Sequence, residues 1–229
     1  MMTRTDPEVQ VAARIARRDT RPREWIALIG GIAVVLIMNS PPVDTAVDRS
    51  FSSHMLQHMI LMNVAAPLIA IAWPLLFRAW SSSRIVSGLN ALARPAPALI
   101  LSSGALWFWH VPAIYNAQLS NGRIHAVEHM LFIGAFVLFW RPLVDDNMSL
   151  GYLKANGQRV LYLTISMLAS GLLAAVLTFS GHAFYPHYAA ASFGGRSPLA
   201  DQQLGGAIMW LGGTIAGVLA AIITMREEP

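Results

Sequence analysis

The chain has no cysteine among its 229 residues. That excludes a disulfide scaffold, a thiolate metal site and cysteine nucleophile chemistry. Charge is also scarce: 12% of residues are Asp, Glu, Lys or Arg, against about 25% in an ordinary soluble domain. With 55% hydrophobic residues and a mean hydropathy of +0.50, the composition excludes disorder, a coiled coil and a nucleic-acid module. The net charge of +4 does not point to nucleic acid, because Arg4, Arg14, Arg17, Arg18, Arg21 and Arg23 crowd into the N-terminal segment. Soft-metal chemistry without thiols must run through the seven His and eleven Met.

Long apolar runs are what the chain has in plenty. A span needs roughly 20 residues to cross about 30 Å of hydrocarbon. Six segments qualify: 22–40, 54–77, 97–117, 124–140, 160–179 and 204–225. No small-residue cleavage site follows the first, so it reads as a retained span. The expected fold is an all-α, polytopic transmembrane bundle. A basic segment at 1–23 precedes the bundle at 24–225, and a short tail covers 226–229. The sixth span carries Gly205, Gly206, Gly212, Gly213 and Gly217, which predicts close packing against another helix. Thirteen of the sixteen basic residues fall on one side of this topology, leaving Arg49, Arg123 and Arg196 on the other. The positive-inside rule then puts both termini in the cytoplasm.

On that topology all seven histidines sit at or near the outer face. His54 and His58 open the second span, His125 and His129 the fourth; His110 closes the third, and His182 and His187 lie in the last outer loop. His54/His58 and His125/His129 are both i, i+4 pairs, so each pair shares a helix face. Two such faces opposed to each other offer four imidazoles to one point, a donor set suited to Cu, Zn, Fe or Ni. The expected ligands are these four, with His110 and Asp201 next. Met62 continues the His54–His58 row. Met55, Met59 and Met62 are additional candidates because thioethers select Cu(I), although methionines at helical spacing also serve packing. Glu128, Gln202, His182 and His187 are further or supporting candidates, and Asp201 is also placed to cap its own helix. Neither pair is HExxH: the runs are His-Met-Leu-Gln-His and His-Ala-Val-Glu-His, so the zinc metalloprotease motif is absent.

Several short runs taken together resemble the CtaG-type cytochrome c oxidase assembly factors. They are His54-Met-Leu-Gln-His58-Met, Trp107-Phe-Trp-His110-Val-Pro112, His125-Ala-Val-Glu-His129, Phe139-Trp140-Arg141-Pro142, Tyr185-Pro-His187-Tyr188, and Asp201-Gln-Gln203 with Met209-Trp210. The resemblance runs from about His54 to Met225. It implies a polytopic protein of the bacterial plasma membrane, non-enzymatic, that helps mature a haem–copper oxidase by supplying or inserting copper, with oxidase subunits as partners. Many family members have an extra span, and this chain reads as a six-span version. The residues alone leave three other functions open. One is a haem-binding protein with axial histidines. The second is a zinc-dependent hydrolase using Glu128 or Asp201. The third is a transporter, which no charged residue at mid-membrane supports.

Overall fold

The computed structural model describes residues 22–77, 84–144, 153–189 and 195–225. The basic N-terminal arginines up to Arg21 and the tail beyond Met225 lie outside the described residues. Among those described there are helices and no strands. In chain order they are α1 (Pro22–Met38), α2 (Pro41–Arg49), α3 (Phe51–Ile71), α4 (Trp73–Phe77), α5 (Arg84–Leu92), α6 (Pro95–Trp109), α7 (Pro112–Leu119), α8 (Gly122–Val144), α9 (Asn156–Phe179) and α10 (Pro198–Thr224). A single 3₁₀ turn covers Pro186–Ala189.

Four helices are long and apolar enough to cross a membrane: α3, α8, α9 and α10. Two bent pairs bring the number to six. Helices α1 and α2 meet at 53°, and α5 and α6 at 77°. The first and third spans therefore differ from the sequence expectation. Segment 97–117 is not one helix: α6 stops at Trp109, and Pro112 starts α7 in a new direction. Pro112 lacks an N–H and disfavours the helical conformation at the residue before it, and Val111 is extended. The stretch expected as a loop after the first span is helix α2, which starts on the Pro41-Pro42 pair, where missing N–H groups cost nothing.

Helix α3 is the hub. Its first half packs on α10, its second half on α8 and α1. Side chains such as Ile26, Ile29, Ile100, Leu168, Leu211 and Ile223 point outward, an apolar exterior suited to lipid rather than water. Midway, α3 widens into a π-turn at Leu61–Ala65. Pro67 explains it. The proline ring would collide with the carbonyl of Asn63 and cannot donate to it. The wider turn moves the Ala66 N–H back to the Leu61 carbonyl, and the indole N–H of Trp140 donates to the Met62 carbonyl at 2.8 Å. Such turns frequently mark functional sites, and this one lies one turn beyond His58.

The glycines of α10 meet the close-packing expectation. A Cβ on Gly205 would strike the Phe51 ring, and one on Gly206 would strike Thr178 and the Ala174 carbonyl of α9. These two contacts bring α10 against α3 and α9 at the same level as the histidines.

Candidate metal centre

Ser50 begins the construction of the site. Its hydroxyl accepts from the Ser53 N–H and caps α3. The carboxylate of Asp201, from the first turn of α10, finishes the cap. It accepts from the backbone N–H of Phe51 at 2.7 Å and of Ser52 at 3.4 Å, and from the hydroxyls of Ser50 (3.0 Å) and Ser52 (2.6 Å). Asp201 thus caps a neighbouring helix, while Ser197 caps its own. This fixes where His54 starts and ties α3 to α10.

From that anchored end, His54 and His58 face His125 and His129 of α8. The ring centroids form a quadrilateral. Its sides are 4.3 Å within each pair, and 5.1 Å (His54–His125) and 5.3 Å (His58–His129) across the helices. One nitrogen from each ring lies within 4.8 Å of the other three. His54, His58 and His129 are buried and His125 is half-buried, so the group is approached from the His125 side.

Each ring has a definite orientation. The Asn39 amide donates to the Val35 carbonyl at 2.7 Å, so its oxygen accepts the Nδ1–H of His129 at 2.7 Å. That leaves Nε2 of His129 unprotonated and turned inward. His54 Nδ1 contacts the phenol of Tyr115 at 2.9 Å and of Tyr188 at 3.2 Å. Burial pushes both phenols above their ordinary range, so both keep their protons. His54 Nε2 faces His58 Nε2 at 3.0 Å.

Several buried atoms here have no hydrogen-bond partner: Nδ1 of His58, Nε2 of His125, Nε2 of His129 and both carboxyl oxygens of Glu128. Glu128 is fully buried, with its nearest oxygen 3.9 Å from His58 Nε2. Buried polar atoms are normally paired. Unpaired ring nitrogens of His125 and His129 and an unpaired carboxyl beside four clustered imidazoles are what a cation would satisfy, so the residues fit a metal ion.

The other sequence candidates lie elsewhere. His110 does not join the four: its Nδ1–H donates to the Leu106 carbonyl at 2.7 Å and its Nε2 lies 3.3 Å from the Met55 sulfur. Met59 and Met62 sit below the histidines beside a cavity. Gln202 accepts from the Phe184 N–H and donates to the carbonyls of Leu177 and His182, pinning the loop that carries Tyr185 and Tyr188. His182 and His187 are exposed and stand outside the group. Asn39, Tyr115 and Tyr188 were not expected from the sequence. Tyr188 had a signal in its neighbour His187; Asn39 and Tyr115 come from other helices and had none.

The family model described as cytochrome c oxidase caa3 assembly factor matches residues 9–227 of the chain. No curated protein and no solved structure matches it.

Proposed function

The chain belongs to the cytochrome c oxidase caa3 assembly factor family, and from that premise we propose that it binds copper at His54, His58, His125 and His129 and passes it to the oxidase during maturation. The observation carrying this reading is the four-histidine group, with one nitrogen of each ring within 4.8 Å of the rest. The thiol-free imidazole set holds copper in either oxidation state. It also lets the ion go again, since no thiolate competes for it. Bonds of about 2.0–2.1 Å put tetrahedral nitrogens about 3.3 Å apart, so the rings close by roughly an ångström on binding. The chemistry the ion supplies is that of cargo; the chain binds, orients and shields it.

In this reading Asn39 and Tyr115 hold two ligands in their binding orientation, Asp201 holds the helix that carries two of them, and the site faces the periplasmic side. Four imidazoles fill a tetrahedral shell, which suits holding an ion rather than activating water at an open position. A haem needs two axial histidines with a porphyrin between them. The second histidine of each pair here occupies that space, which argues against haem.

The test is metal content. Protein purified in detergent after growth with added copper is expected to carry it in near-stoichiometric amount, and His58→Ala or His129→Ala protein to lose it while staying monodisperse. In copper-limited cells the variants should still make oxidase polypeptides but little copper-loaded oxidase. Full oxidase copper loading in those cells, without another protein of this family, overturns the copper-supply reading.

A further inference from the structure

One turn below His58, the bundle holds a partly open cavity of about 40 Å³. Four methionines line it: Met59 and Met62 from α3, Met167 from α9 and Met209 from α10. No charged residue lines it. A space of this size holds one ion or a few waters.

Most donors of its polar lining are committed elsewhere. Ser102 donates its hydroxyl proton to the Leu99 carbonyl at 3.2 Å, and Ser170 to the Ser166 carbonyl at 3.0 Å. The Asn63 amide donates to the Met59 carbonyl at 3.1 Å and to the Met59 sulfur at 3.7 Å. The Trp140 indole is committed to the Met62 carbonyl. Ser103 and Ser166 complete the polar lining; with the Ser102, Ser170, Asn63 and Trp140 donors committed to protein groups, the lining is rich in oxygen and sulfur lone pairs. That environment favours a soft cation over an anion.

Two sulfurs are seated by α10. A Cβ at Gly217 would lie 2.5 Å from the Met167 sulfur, and one at Gly212 would lie 3.3 Å from the Met59 sulfur. The two glycines make room where a larger residue would displace the thioethers.

We propose that this cavity is a second metal site, specific for a soft monovalent cation, Cu(I), and separate from the four histidines. Thioether donors select Cu(I), and neutral oxygens add no charge that would favour a divalent ion. With no charge to offset desolvation, a divalent ion is penalised far more than a monovalent one. Met62, on the His54–His58 row, links the cavity to the imidazoles above. The cavity can therefore hold reduced copper inside the bundle while the imidazoles hold an ion at its end. The identity of the ion as copper rests on the assembly-factor reading; the preference for a soft monovalent cation rests on the donor set alone.

The test uses purified full-length protein in detergent, with Zn(II) as probe for the histidines and Ag(I) as a redox-silent probe for Cu(I). Wild-type protein saturated with Zn(II) is expected to bind one further Ag(I), whose X-ray absorption spectrum shows sulfur neighbours. The volume-conserving double substitution Met167→Leu with Met209→Leu should keep Zn(II) binding and weaken Ag(I) at least tenfold. Met55→Leu, whose sulfur contacts His110 and which does not line the cavity, should leave Ag(I) in place. Ag(I) with nitrogen neighbours alone, no Ag(I) on Zn(II)-loaded protein, unchanged affinity in the double variant, or loss of the sulfur signal in Met55→Leu overturns the proposal. If wild-type protein takes up no Zn(II) but still binds Ag(I) through sulfur, the four-histidine reading fails and the cavity stands. The wild-type spectrum decides the matter even if the double variant fails to fold.

Discussion

At His129 one hydrogen bond decides which nitrogen is available. Asn39 accepts the Nδ1 proton, and the Val35 carbonyl holds the Asn39 amide in the orientation that makes this happen. Partners of this kind set the tautomer and raise ligand basicity, and removing one costs about 10–100-fold in metal affinity. Asn39→Ala is therefore expected to weaken metal binding by about that factor without lowering thermal stability, as read by competition with a chromophoric chelator. Equal affinity in the variant would mean that His129 is oriented by packing alone. A pH series carries a second expectation. Imidazole binds metal only when unprotonated, so protons compete with the ion and retention must fall as pH falls. The i, i+4 spacing made the four histidines legible in the sequence, because it acts within one helix. The orienting residues were not legible, because Asn39 follows another span and Tyr115 sits on the short helix after a break.

Helix α3 depends on a neighbouring helix for its first turn. Asp201 reaches across from α10 to the Phe51 and Ser52 amides and the Ser50 and Ser52 hydroxyls, so its loss uncaps the helix and leaves several buried groups unpaired. Asp201→Ala is expected to destabilise the protein by about 1.5–3 kcal/mol, the range for hydrogen bonds to a charged group, and to lower metal affinity because His54 stands on the loosened turn. Thermal unfolding in detergent and chelator competition read the two effects. A stability loss with unchanged affinity would show that α8 alone fixes the cluster. Gly206 makes the same connection from the packing side. Its missing Cβ admits Thr178 and the Ala174 carbonyl, so Gly206→Ala forces α9 and α10 apart at an expected cost of about 1–3 kcal/mol. The sequence foresaw glycine-mediated packing but placed Asp201 on its own helix. A one-dimensional reading finds caps only for the helix that carries them, whereas this carboxylate acts about 150 residues away.

Across the described residues, four helices are long and apolar enough to span a membrane and two bent pairs bring the candidates to as many as six, the third starting at Arg84 and ending at Trp109 rather than covering 97–117. Both bends fall at prolines, Pro41-Pro42 and Pro95, which hydropathy averages over and local chemistry does not. All four clustered histidines, the Asp201 cap and the Tyr115–Tyr188 roof gather at one end of the bundle. The membrane side proposed for that end rests on charge. Arg49, Arg123 and Arg196 are the basic residues near the histidine end, and the remaining thirteen belong to the other side of the six-span reading. Basic residues are retained on the cytoplasmic side, so the proposed orientation turns the histidine end to the periplasm and both termini to the cytoplasm. A reporter fused at Pro229 should accordingly show cytoplasmic behaviour. Single cysteines placed at Gly181 and at Gly157, in a chain that has none of its own, should be labelled by an impermeant maleimide in intact spheroplasts at Gly181 only. Labelling at Gly157 instead would turn the histidines toward the cytoplasm. The protein would then load copper where the cell keeps it reduced, and delivery to the outer face of the oxidase would have to pass through the thioether-lined interior.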